Sequence, residues 1–193
     1  MNLPVSPKEI KGPWHRGWAL DRHSRCLTPP PARHTPMSDA LWKLKMEQDT
    51  SEIAPIAETV ASFIRSQDEL SDIAGIIPIP PSDTSRAFQP VSVVAQAVGA
   101  ILCVPCPGDY LLKTKHTALI RTTPDRESAR RELEGAFRIA DLRFAGRHIL
   151  LLDDVFRSGE TLSSACRAVQ TQGKASRIFV LTLTWIAPAW ERD

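Results

Sequence analysis

With 193 residues, 42% hydrophobic and 24% charged, the chain is long enough for one sizeable core and short for two full domains. Lys+Arg 24 against Asp+Glu 22 leaves a net charge of +2, which argues against a histone-like or polybasic nucleic-acid binder, so any anion site must be local. The four cysteines, at 26, 103, 106 and 166, do not form the framework of a small secreted protein, and no apolar stretch suits a signal peptide or a membrane span; a cytoplasmic protein without membrane association is expected.

Residues 1–37 hold seven of the sixteen prolines, together with Trp14 and Trp18. Each proline removes a donor and restricts its predecessor, so this segment is expected to be an irregular arm with one short strand around Gly17-Trp18-Ala19-Leu20. Its two tryptophans favour packing on the body, read as residues 38–193. Ser38 or Asp39 can cap a helix holding Leu41, Trp42, Leu44 and Lys45, and Ser51 can cap a second. In that second helix Ile53, Ile56, Val60, Phe63 and Ile64 share one face.

Gly75 to Pro80 then reads as a short strand ended by its prolines. Pro90 to Val98 reads as a helix stopped by Gly99, and Ala100 to Cys106 as a returning strand. The unit recurs near the C-terminus. Arg147 to Asp154 is the continuous apolar run of a strand covered on both faces, and a helix with Leu162, Ala165, Cys166 and Val169 on one stripe ends at Gly173. Ile178 to Leu183 returns as a strand. Two βαβ units predict an α/β fold, an open parallel sheet flanked by helices and Rossmann-like in plan. Ligands then sit beyond the carboxyl ends of the strands.

The stretch Leu151 to Leu162 carries the chemistry. A buried strand delivers Asp153 and Asp154 to its carboxyl end, and a loop with Ser158, Gly159 and Thr161 opens a helix. Backbone N–H groups at a helix N-terminus hold a phosphate, and a glycine lets the backbone approach it. Paired carboxylates accept hydrogen bonds from ribose hydroxyls or help hold a divalent cation. A capped helix after an acidic strand end is the plain structural alternative.

This stretch resembles the signature of the type I phosphoribosyltransferases. The resemblance implies binding of 5-phosphoribosyl-1-pyrophosphate with Mg2+. Asp153 and Asp154 would serve as catalytic and metal-binding carboxylates meeting the ribose hydroxyls, and Val155, Phe156, Arg157, Ser158, Gly159, Glu160 and Thr161 would wrap the 5'-phosphate. Arg157 stands where the 6-oxopurine enzymes carry an aspartate near the base, and arginine is no proton acceptor, so hypoxanthine or guanine is disfavoured as acceptor.

The likeness extends further, to the ComF family. Ile77-Pro78-Ile79-Pro80 followed by Ser82, Ser85, Arg86, Phe88 and Gln89 resembles the family's pyrophosphate loop. Leu111-Leu112-Lys113, then Arg126, Arg130, Arg131 and Gly135-Ala136-Phe137, resembles the region between its two βαβ units. Lys113, Arg126, Arg130 and Arg131 would belong to a basic lid, for which a solvated charged helix is the alternative. Glu132 and Arg121 depart from the family's usual asparagine and glutamine. Leu44-Lys45 also fits the family pattern, and the likeness spans about residues 41 to 185.

The resemblance implies a phosphoribosyltransferase that passes the phosphoribosyl group to an unidentified nucleophile and releases pyrophosphate. The alternative is a non-catalytic ComF-like protein that senses the sugar pyrophosphate or acts in DNA uptake or processing. Against nucleic acid, no aromatic interleaves Lys113, Lys115, Arg121, Arg126, Arg130 and Arg131 to stack bases. Cys103-Val104-Pro105-Cys106 is a CxxC in a strand-like run, which is not where a redox thiolate is stabilised. His23 and Cys26 could join that pair as zinc ligands. Cys166 reads as packing, His116 and His148 stay unassigned, and Trp185 and Trp190 read as cover for a sheet edge or a homodimer contact.

Overall fold

The computed structural model describes residues 2–23, 35–81, 88–114 and 135–186. In chain order these form β1 (Lys8–Glu9), β2 (Arg16–Arg22), α1 (Pro36–Trp42), α2 (Ile53–Arg65), β3 (Gly75–Pro78), α3 (Pro90–Leu102), β4 (Leu111–Lys113), β5 (Phe137–Ile139), β6 (His148–Phe156), α4 (Glu160–Thr171) and β7 (Arg177–Trp185). A π-helical turn, Lys43–Glu47, follows α1 directly.

The main sheet has the order β1-β2-β7-β6-β3. β2, β7, β6 and β3 run parallel, and only the two-residue β1 is antiparallel, at the edge. Ile149 to Leu152 of β6 are fully buried because both faces of the sheet are covered. On one face Leu150, Leu152, Phe179 and Leu181 meet α1, α2 and α3 through Leu41, Ile56, Val60 and Val94. On the other, Ile149, Leu151, Ile178 and Val180 meet α4 and the antiparallel β4–β5 pair through Leu162, Val169 and Phe137. Strand alternation sorts these side chains between the two layers, and each fully buried aliphatic contributes about 1.5–3 kcal/mol. The architecture is therefore an open, mostly parallel α/β sheet flanked by helices, as expected.

Several local expectations are corrected. The short strand expected around Gly17 to Leu20 is present as β2, but it is longer and lies inside the sheet rather than on an irregular arm, with Trp18, Ala19 and Leu20 buried and Trp18 and Ala19 in register with Leu181 and Thr182 of β7. Thr35, rather than Ser38 or Asp39, caps α1 by accepting from the Ser38 N–H. Asp49, rather than Ser51, caps the turn before α2, its Oδ1 accepting from the Ser51 N–H at 3.0 Å. Leu44 and Lys45 lie in the π-helical turn and not in α1.

Gly99 does not stop α3. The helix runs on to Leu102 and ends where Cys103 turns left-handed at φ 56°. Glycine is needed at 99 for another reason: a Cβ there would lie 2.7 Å from the Val104 carbonyl oxygen. The strand expected over 100–106 is therefore absent from the sheet, because its first three residues complete the helix. The segment keeps one bond to the sheet edge, from the Ile76 N–H to the Pro105 carbonyl at 2.9 Å.

Candidate functional site

β6 ends in Asp153, Asp154, Val155 and Phe156, and the chain then turns through Arg157, Ser158 and Gly159 into α4. Gly159 makes the turn possible. It sits at φ 76°, in the left-handed region, and a Cβ there would lie 2.9 Å from the Phe156 ring. No side chain caps α4 at this point, so the N–H groups of its first turn are aimed at the loop, at the positive end of the helix dipole. A cleft of about 60 Å3 opens here, lined by Asp153, Val155 to Thr161, and Leu162. Arg157 and Ser158 are exposed, while Glu160 is buried.

The structure treats the two carboxylates differently. Asp153 aligns with Thr182 of β7 and lines the cleft. Its Oδ1 accepts from the Asp154 N–H at 2.8 Å. Burial, followed by the neighbouring Asp154 charge, raises its pKa well above the usual carboxylate range, against the Asp154 N–H, Lys45 and Lys113, which favour the charged form. Asp154 does not line the cleft. It forms an ion pair with Lys45 of the π-helical turn, both side chains being about one-quarter exposed. Its carbonyl accepts from the Thr184 hydroxyl at 3.1 Å, and His23 Nδ1 lies 3.0 Å from that hydroxyl. With the hydroxyl proton given to the carbonyl, the His23 contact requires a proton on Nδ1.

Lys113, at the end of β4, lies near enough to Asp153 for their charges to interact. Burial lowers its pKa, and its Nζ stands 5.7 Å from the centroid of the Phe137 ring. Two lysines from separate elements thus flank the acidic pair. Sequence reasoning did not single out Lys45 for the site, since nothing in a lone helical lysine says that its turn lies over the end of β6. Ser82, Ser85 and Arg86, and Arg121, Arg126, Arg130, Arg131 and Glu132, lie outside the described residues.

Among the described residues no group of three or more His, Cys, Asp or Glu could hold a metal ion. Of the two carboxylates only Asp153 lines the cleft; a Mg2+ ion there would complete its shell with waters and ligand phosphate oxygens and would not require an all-protein cage. Cys103 is exposed, burial pushes the Cys106 thiol up to about 11, and Cys26 lies outside the described residues. Cys166 is buried and donates to the Pro13 carbonyl at 2.9 Å, with burial pushing its thiol up to about 12. His148 Nδ1 contacts Asp72 Oδ1 at 3.0 Å, while His116 and Trp190 lie outside the described residues. Lys8 of the edge strand β1 covers the Trp185 ring, 4.0 Å from its centroid.

No family model matches the chain, and no curated protein matches it. Among solved structures it is similar to the adenine phosphoribosyltransferase of Leishmania donovani, with 11% identity and a TM-score of 0.41 over 92% of this chain and 90% of that one. It is also similar to that of Leishmania tarentolae, with 12% identity and a TM-score of 0.43 over 93% and 94% of the two chains. Among the described residues no helix is long and apolar enough to cross a membrane.

Proposed function

We propose that this chain binds 5-phosphoribosyl-1-pyrophosphate with Mg2+ and transfers its phosphoribosyl group to a nucleophile, releasing pyrophosphate, as a ComF-like member of the type I phosphoribosyltransferases. One observation carries the reading: a parallel strand delivers Asp153 into the cleft formed by the left-handed Gly159 turn and the uncapped N-terminus of α4. A sugar phosphate needs those two features side by side, an anion cradle of N–H groups and a carboxylate for the ribose hydroxyls.

On this reading the backbone from Arg157 to Thr161 takes the 5'-phosphate and Asp153 faces the ribose. The Lys45–Asp154 pair fixes the end of β6, and Lys113 supplies positive charge beside Asp153. Asp153, with Asp154 beside it, would hold Mg2+ together with oxygens of the ligand, and the ion would offset the charge of the departing pyrophosphate. The carboxylates would steady positive charge that develops on the sugar ring as the bond to pyrophosphate breaks. Ser82, Ser85 and Arg86 are the proposed donors to pyrophosphate, and Arg126, Arg130 and Arg131 the proposed lid.

The test is a calorimetric comparison of ribose 5-phosphate, the sugar pyrophosphate with and without Mg2+, and a single-stranded oligonucleotide across a salt series. Saturable binding of the two sugar phosphates, strengthened by Mg2+ for the pyrophosphate, supports the proposal. Affinity for the oligonucleotide alone, with a steep salt slope, replaces it with the nucleic-acid reading.

A further inference from the structure

The loop after β6 rests on a side chain from the beginning of the chain. Trp14 meets Phe156 edge to face, with ring centroids 6.4 Å apart. A Cβ on Gly159 would lie 2.9 Å from the Phe156 ring and 3.7 Å from Trp14 Cη2. The Phe156 ring and the edge of the indole therefore both close on the glycine that turns the chain into α4.

Trp14 is itself held in place. Its Nε1–H donates to the Ile10 carbonyl at 3.1 Å. A Cβ on Gly12 would lie 2.2 Å from the indole, and one on Gly17 2.5 Å from Nε1, so two glycines form the slot. On either side the chain is anchored, by the Cys166 thiol to the Pro13 carbonyl at 2.9 Å and by the His15 N–H to the Ile178 carbonyl at 2.8 Å. Pro13 is thereby tied to α4, the helix whose N-terminus forms the cleft. Both ends of the contact are thus fixed to the scaffold, the condition for positioning a loop within a fraction of an ångström.

We propose that Trp14 is a positioning residue for the anion loop: it braces Phe156 and Gly159 so that the first-turn N–H groups of α4 stay aimed into the cleft, and so sets affinity for the phosphate end of the ligand. The inference rests on the reading of this loop as a phosphate site. The edge contact is worth little in stability, whereas small displacements of N–H donors around an anion cost affinity steeply.

The experiment measures ribose 5-phosphate binding by calorimetry for the wild type, Trp14→Ala, Trp14→Phe and Gly12→Ala, with inorganic pyrophosphate as a control ligand and thermal unfolding alongside. Gly12 is exposed and reaches the loop only through the indole, so Gly12→Ala perturbs the brace from outside the site. Trp14→Ala and Gly12→Ala are expected to weaken ribose 5-phosphate about tenfold, Trp14→Phe to restore most of that, and all to keep the wild-type pyrophosphate isotherm. Wild-type affinity in a folded Gly12→Ala variant overturns the brace, as does an equal change for both ligands. If Trp14→Ala does not fold, Gly12→Ala and Trp14→Phe decide by the same criteria. A wild type that binds no ribose 5-phosphate overturns the phosphate site itself, a failure distinct from that of the brace.

Discussion

Replacing Asp153 by asparagine is expected to stabilise the ligand-free protein while removing its affinity for the sugar pyrophosphate. The half-buried carboxyl lines the cleft beside Asp154, and loss of solvation is the first cause of its raised pKa. A raised carboxyl pKa means that the folded state binds the proton more tightly than the unfolded chain. The favourable contribution is therefore fully present below the ordinary carboxylate range, and is lost as pH rises through the raised value. Asparagine keeps an acceptor for the Asp154 N–H at 2.8 Å and carries no charge to desolvate. Each pH unit of such a difference corresponds to about 1.4 kcal/mol, with the attraction of Lys45 and Lys113 already contained in it; solvent in the cleft screens the half-buried charge, which leaves a gain of about 1–3 kcal/mol at mildly alkaline pH. For a chain of this size that is a rise in Tm of roughly 2–12 °C. Urea unfolding of both proteins at about pH 5 and about pH 8 measures it, and the gap should widen with pH. An Asp153→Asn protein less stable than wild type, with a gap independent of pH, would refute the reasoning.

Three further outcomes follow from the same geometry. Lys45→Met should cost about 1–2 kcal/mol, between the values for exposed and fully buried pairs, because it leaves Asp154 uncompensated beside Asp153. Adding Asp154→Asn should recover part of that loss, and a double-mutant cycle with no coupling contradicts the ion pair. Gly159→Ala should destabilise by about 1–2 kcal/mol through the left-handed φ alone, and should also weaken ribose 5-phosphate as Phe156 is displaced; a variant matching wild type in both argues against the strained turn. The Thr182 hydroxyl is fully buried with no hydrogen-bond partner among the described residues, so Thr182→Val should be neutral or stabilising by up to about 1 kcal/mol; a clear loss in chemical denaturation would reveal a partner for it.

What the sequence makes legible here is set by how local each signal is. The four apolar residues before Asp153 declare a doubly covered strand, and the serine, glycine and threonine after it declare a turn into a helix, all within one short stretch. The face of α2 is likewise written in its own spacing. Ala100 to Cys106 misleads because a short apolar run fits either a strand or the last turn of a buried helix, and the left-handed Cys103 that separates the two has no sequence marker. The centre of β2 is legible in Gly17 to Leu20, but the prolines around it hide that the strand runs on to Arg22, inside the sheet and with Asp21 also buried. Within the site, the difference between Asp153 and Asp154 depends on which elements pack over the end of β6. Lys45 reaches Asp154 from one side and Lys113 influences Asp153 from the other, and those placements are tertiary. The glycine slot for Trp14 is equally silent, because Gly12 and Gly17 in a proline-rich segment read as loop punctuation.

The most direct measurement is a calorimetric titration of 5-phosphoribosyl-1-pyrophosphate with Mg2+ into the wild type and into an Asp153→Asn/Asp154→Asn variant. The account predicts saturable binding to the wild type, with affinity reduced at least about a hundredfold in a variant whose unfolding transition remains cooperative. Equal affinity for the two proteins, or no binding to either, would contradict it.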